Sequence, residues 1–156
     1  MIQEKDQTSF IRNYLISDDI DFFLGSGASL LAGIPSGQNL VWQFKKEIYC
    51  SENNVSRELF KDMQSERNRT KLQDYFDSLE GFPKRGAKNE YSFYFEKCYD
   101  STAARNARIQ KLVANIEPTR GHLCLANLFI NNKVKNIWTT NFDELIEADI
   151  KLNKFA

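Results

Sequence analysis

The chain has a single histidine, His122, and three cysteines, Cys50, Cys98 and Cys124. No two cysteines form a C-x-x-C pair, which excludes a four-cysteine zinc module, and no metal site is expected. Unpaired thiols suit a reducing compartment, so the expected location is cytoplasmic. Neither sign of charge is in excess: Lys plus Arg and Asp plus Glu number 21 each. That balance gives no pull toward nucleic acid or a membrane surface. No apolar run is long enough to cross a bilayer, and the segment from Met1 to Asp6 is polar and charged rather than signal-like. Repeats and low-complexity segments are missing too. Against these absences stand 42% apolar and 13% aromatic residues over 156 positions, ample for the core of one domain.

The stretch from Asp21 to Gly37, DFFLGSGASLLAGIPSG, is the most informative. An apolar run, Phe22-Phe23-Leu24, leads into the small-residue turn Gly25-Ser26-Gly27-Ala28-Ser29. A helical-looking pair, Leu30 and Leu31, and a second turn, Gly33-Ile34-Pro35-Ser36-Gly37, follow. A strand that ends in such a turn brings backbone N–H groups to the sheet's C-terminal edge, where they can approach a phosphate closely. The spacing is not the full G-x-G-x-x-G fingerprint, because Leu30 stands three residues after Gly27, and no Gly-Lys-Ser/Thr makes it a P-loop. A tight strand-to-helix turn that binds nothing fits the glycines as well.

A second segment repeats the strand, polar turn, helix order. Val134–Trp138 reads as a short buried strand, Thr139-Thr140-Asn141-Phe142-Asp143 as the turn, and Glu144–Glu147 as the start of a helix. Ligands of open parallel sheets bind beyond the carboxyl ends of the strands, so two such turns on neighbouring strands would face one crevice. Asp143 also suits a helix N-cap and Asn141 a turn, roles those residue types favour anyway.

The rest of the chain reads as mostly helical. Helices are predicted over Thr8–Leu15, capped near Thr8 or Ser9, and over Gly37–Cys50. The second has Leu40, Val41, Phe44 and Ile48 on one face, with Lys45, Lys46 and Glu47 largely off it. Residues 51–70 are polar, with a short helix between loops, before a helix over Lys71–Glu80 and a break at 81–86. Glu90–Tyr99 is dense in aromatics whose irregular spacing fits a helix packed on two sides better than an exposed stacking platform. With no charge excess beside it, direct nucleic-acid binding is not expected. Helices over Thr102–Ile116 and Gly121–Asn131 then lead into the strand at Val134, and a first strand is expected over Asp19–Leu24. The fold class is therefore helix-rich α/β, with two strands separated by a long helical insertion at about 50–116.

Together the motifs resemble the sirtuin family, in the branch of sirtuin-like NAD-cleaving domains found in bacterial anti-phage defence proteins. Gly25-Ser26-Gly27-Ala28-Ser29 matches the family's Gly-Ala-Gly-x-Ser turn, Gly33-Ile34-Pro35 its Gly-Ile-Pro loop, and Thr139 to Asp143 its Thr-x-Asn-x-Asp motif. Pro118 to His122, with Leu125 after it, resembles the helix that precedes that motif. The likeness spans about residues 18–150, without a family motif in 50–115. Ser36-Gly37-Gln38 stands where deacylating members carry Asp-Phe-Arg, and the cysteines for zinc are missing; both departures point away from a deacylase.

The resemblance implies a partial Rossmann-like parallel sheet within a single sirtuin-like domain over 1–156, the N-terminal part of a larger protein. The remaining strands and the family's catalytic histidine would follow Asp149. It implies a protein that cleaves NAD to nicotinamide and ADP-ribose, with the 156-residue chain alone weakly active or inactive. Gly25, Ser26, Gly27, Ala28 and Ser29 would hold the pyrophosphate. Gly33, Ile34, Pro35 and Ser36 would close over the nicotinamide ribose. Thr139 would line the site, Asn141 would position the ribose hydroxyls and the attacking water, and Asp143 would orient Asn141 or the loop. By family position His122 belongs to a packing helix. A non-catalytic NAD or ADP-ribose binding or assembly module and a truncated structural fragment are the alternatives. Self-association, or further C-terminal domains, is expected to cover the sheet edge.

Overall fold

The computed structural model describes residues 6–17 and 19–153, and the side chains of these up to 151. In chain order they form α1 (Gln7–Ile16), β1 (Asp21–Leu24), a 3-10 helix (Ser26–Ala32), α2 (Gly37–Glu52), a shorter 3-10 helix (Arg57–Phe60), α3 (Glu66–Asp77), α4 (Glu90–Cys98), α5 (Thr102–Val113), α6 (Arg120–Ile130), β2 (Asn136–Thr139) and α7 (Leu145–Asn153). The chain divides into two compact units, one of Met1–Gly33 with Asn115–Ala156 and the other of Ile34–Ala114.

The first unit is α/β. Its strands pair in parallel, with Asp21 opposite Asn136, Phe22 opposite Ile137, Phe23 opposite Trp138 and Leu24 opposite Thr139. Both strands are shorter than predicted, and β2 runs on through Thr139. The expectation of a buried strand fails at Trp138, which is 58% exposed, as is its neighbour Phe23 at 75%. Successive side chains leave a strand on opposite faces. Phe22, Leu24 and Ile137 are half-covered, while Phe23 and Trp138 share a face that is largely exposed among the described residues. The buried apolar residue that made the segment look internal is Val134, which lies before the strand.

Flanking helices complete this unit. The N-cap of α1 is Asp6, not Thr8 or Ser9: its Oδ1 accepts the Ser9 N–H at 2.9 Å. Phe10 of α1 meets Phe22 of β1 with ring centroids 6.3 Å apart, yet no residue of α1 is fully buried. Ala126 of α6 and Leu145 and Ile146 of α7 supply the interior.

The second unit is helical, and α2 runs through its middle. The predicted stripe Leu40, Val41, Phe44 and Ile48 is buried against Phe76 of α3 and Tyr94 of α4. A second cluster of Trp42, Cys50, Phe60 and Leu72 covers another side of α2. Lys45, expected to point off the apolar face, is 0% exposed. Two-sided coverage explains the difference, because a position between two buried stripes is covered as well. Its ammonium donates to Gln73 Oε1 at 2.8 Å and Glu90 Oε1 at 2.6 Å, and lies 4.8 Å and 4.7 Å from the ring centroids of Trp42 and Tyr94. A buried ammonium needs such partners.

The aromatics of α4 pack on two sides, as expected. Phe95 stacks on Phe44 at 5.2 Å, while Phe93 and Tyr94 meet Phe82 at 5.1 Å and 6.1 Å. Helix α3 begins at Glu66 rather than Lys71. Asp62 Oδ1 collects the N–H groups of Gln64 and Ser65, and Glu66 sits in the first turn, where the helix dipole favours an acid. A polar first turn carries no hydrophobic period, so the pattern alone starts the helix late.

Burial in this unit sets an alkaline limit to its stability. It pushes the phenols of Tyr75, Tyr91, Tyr94 and Tyr99 and the thiols of Cys50 and Cys98 above their ordinary values. The unfolded chain releases these protons from about pH 8.5 for Cys and about pH 10 for Tyr, while the folded unit still holds them. The folded state then binds more protons, and stability falls as pH rises through that window. Burial lowers Lys45, which acts in the opposite sense, but as one group against six. The melting temperature should be flat near neutrality and decline from about pH 9 upward. Tyr94→Phe should flatten the decline; an equally steep slope in that variant would show that Tyr94 does not contribute.

Candidate functional site

The two strand-end turns of the first unit meet. Beyond Leu24 the chain is extended at Gly25 (φ −111°), and a 3-10 helix follows that includes the helical-looking pair Leu30 and Leu31. Gly33, with φ +96°, ends it in the left-handed region that favours glycine, its N–H directed at the carbonyls of Leu30 and Ser29. On the other strand, the Thr140 N–H reaches Leu24 O at 3.2 Å, so both turns leave the ladder at its carboxyl edge.

Hydrogen bonds tie the turns together. Ser29 Oγ donates to Asp143 Oδ2 at 2.8 Å and accepts from Asn141 Nδ2 at 3.2 Å. Thr139, in the strand rather than the turn, accepts the Asn141 N–H on its Oγ1 at 3.0 Å. Asp143 Oδ1 faces the Leu145 N–H at 3.5 Å, at the start of α7. Capping and cross-linking thus coexist on one carboxylate. Ser29 is 1% exposed and its one proton goes to Asp143, so Asn141 must turn its NH₂ toward the hydroxyl. That fixes the amide and leaves Asn141 Oδ1 buried with no hydrogen-bond donor among the described residues.

The glycines beside this triad are not needed by the fold. Neither Gly25 nor Gly27 has a positive φ, and a Cβ at either would meet nothing within 4 Å. Ser26 is exposed and Ala28 half-buried. The turn therefore has open space at the two positions whose lack of a side chain the packing does not explain.

The structure brings together Ser29, Thr139, Asn141 and Asp143. Of the second motif, Gly33 closes the first unit and Ile34 opens the second, where it is buried. Pro35 is half-buried, and Ser36 caps α2 by accepting the Asn39 N–H on its Oγ at 3.2 Å. His122 is buried in α6, where its Nδ1 accepts the Thr119 N–H at 3.1 Å in a capping box. Accepting there places the ring proton on Nε2. Sequence reasoning missed the cross-strand role of Ser29, whose only signal was its place at the end of the glycine turn.

Chemically, the triad holds an amide carbonyl with unused acceptor capacity, covered in this structure and tied through Ser29 to a carboxylate, beside exposed backbone. Among the described residues no cluster of His, Cys, Asp or Glu could hold a metal ion, and no helix is long and apolar enough to cross a membrane. No protein-family model matches the chain, and no curated protein matches it.

Proposed function

We propose that the first unit is a partial Rossmann-like, sirtuin-like domain that binds NAD, and that it belongs to an NAD glycohydrolase of bacterial anti-phage defence. The observation that carries this reading is the Asn141–Ser29–Asp143 chain, which joins the two motifs of the resemblance across 112 and 114 residues. In this reading the exposed backbone at Gly25–Gly27 takes the pyrophosphate, and Asn141 Oδ1 accepts from a ribose hydroxyl or the attacking water. Ser29 and Asp143 hold the Asn141 amide in place. Departure of nicotinamide leaves oxocarbenium character on the ribose, which a fixed amide dipole stabilises without reorganising. Binding without turnover is the second reading. It is favoured by His122, the only histidine in these 156 residues, whose Nδ1 is taken up in capping α6.

Gly27→Ala separates binding from folding. The added methyl meets nothing within 4 Å, so the melting temperature should hold or rise slightly. A pyrophosphate that needs close approach to the turn should lose about tenfold or more in affinity. Calorimetric titration of NAD and ADP-ribose into both proteins checks this. Undiminished binding by Gly27→Ala, or no binding by the wild type, would remove the glycine turn from the ligand site.

A further inference from the structure

The second unit carries a cleft of about 410 Å³, built on α2 and the segment before α4, that the NAD reading leaves unused. Its wall is a cationic frame around a buried indole. The Arg69 and Arg85 guanidinium carbons lie 5.5 Å and 5.3 Å from the Trp42 ring centroid. Lys88 lines the same cleft and is an exposed residue.

The frame is held before any ligand arrives. Arg69 donates from Nε to Met63 O at 2.7 Å and from Nη2 to Gln64 Oε1 at 2.9 Å, leaving Nη1 for a further partner. Glu90 accepts the Gly86 N–H on Oε2 at 2.7 Å, which pins the loop that carries Arg85 and Lys88. Its other oxygen takes the buried Lys45 ammonium, so the carboxylate lining the cleft is already neutralised. Glu66 lies 3.9 Å from Arg85 and is largely exposed, a weak competitor.

Three cations thus line one cleft, whose own carboxylate, Glu90, is taken by Lys45, and the acid beside Arg85, Glu66, is exposed to water. Such a frame calls for a ligand with more than one negative charge, and two guanidiniums match the geometry of a phosphate rather than a single carboxylate. We propose that this cleft binds a small organic phosphate, its phosphate between Arg69, Arg85 and Lys88 and its apolar body against Val41 and Tyr91. A bounded cavity of this size fits a compact ligand, whereas a nucleic-acid strand needs an extended basic track, and the chain as a whole has no charge excess.

The test uses the full chain with Trp138→Phe, which leaves Trp42 as the only indole. Adenosine 5′-monophosphate and phenyl phosphate are titrated while Trp42 emission is followed. Inorganic phosphate, adenosine and a single-stranded oligonucleotide serve as comparisons. Saturable binding of both esters is expected, with inorganic phosphate weaker and adenosine silent. Arg85→Ala with Lys88→Ala, both exposed positions, should weaken the esters by about tenfold or more with an unchanged melt. Asn141→Ala should leave the titration untouched, which keeps this result separate from the NAD reading. The proposal is overturned by no response to either ester, by inorganic phosphate matching them, or by oligonucleotide affinity that grows with length. Ester binding that survives loss of Arg85 and Lys88, or that disappears with Asn141, overturns it as well.

Discussion

Replacing Lys45 by alanine should destabilise the second unit by about 3–5 kcal/mol, the range for breaking a buried ion pair from one side. The ammonium is completely covered, and the Glu90 side chain is only 13% exposed. Removing the lysine leaves that carboxylate charged in a poorly solvated place, with the Gly86 N–H as its remaining donor. It also strands Gln73 Oε1 and empties the space between Trp42 and Tyr94. Lys45→Met fills the space without supplying charge, so it should recover part of the loss. Lys45→Met combined with Glu90→Gln should recover more, because the buried charge is then gone from both sides. The cycle is measured by denaturant unfolding with Trp42 emission in the Trp138→Phe background. A loss below about 1 kcal/mol for Lys45→Ala would place the pair among weak, solvated bridges. Equal effects of Glu90→Gln in the Lys45 and the Lys45→Met backgrounds would show no coupling between the two sites.

Lys45 also marks the limit of what the sequence carries. The stripe Leu40, Val41, Phe44 and Ile48 is a one-sided signal, and it located α2 and its main contact surface. It could not report that Trp42, Cys50, Phe60 and Leu72 cover a second side, because that depends on residues from α3 and the segment between. A lysine between two covered stripes reads as solvent-facing on any helical period. The strands show the same limit. Aromatic and branched residues located both, but whether Phe23 and Trp138 are covered depends on what lies over the sheet, which no local pattern encodes. The candidate site was more legible. Small residues at one strand end and a Thr-x-Asn-x-Asp turn at another are local chemical signatures. Two parallel strands bring such turns to one edge by geometry alone. What remained hidden was the pairing of Ser29 with Asp143, a contact between residues 114 positions apart.

The second large effect lies at Asn141. In the proposed full-length NAD-cleaving protein, Asn141→Ala should lower nicotinamide release from NAD by about 10²–10³, the usual consequence of removing one pre-placed dipole from a developing charge. The structure refines the accompanying stability change. Asn141 Nδ2 donates to Ser29 Oγ at 3.2 Å, so truncation leaves one lone pair of a buried hydroxyl without its donor. About 1 kcal/mol is expected for that loss, a modest shift in melting temperature rather than a collapse. Ser29→Ala provides the complementary measurement. It leaves the Asn141 carbonyl present but unties it from Asp143, so turnover should fall less than in Asn141→Ala and the loss should appear mainly in kcat. If the domain binds without turning over, the same two substitutions should act on ADP-ribose affinity instead, again with Asn141→Ala the stronger. Retained turnover and retained affinity in Asn141→Ala would reduce the residue to a turn former. A collapsed melt in Asn141→Ala with an intact one in Ser29→Ala would give the amide a folding role beyond the Ser29 bond, because both substitutions break that bond.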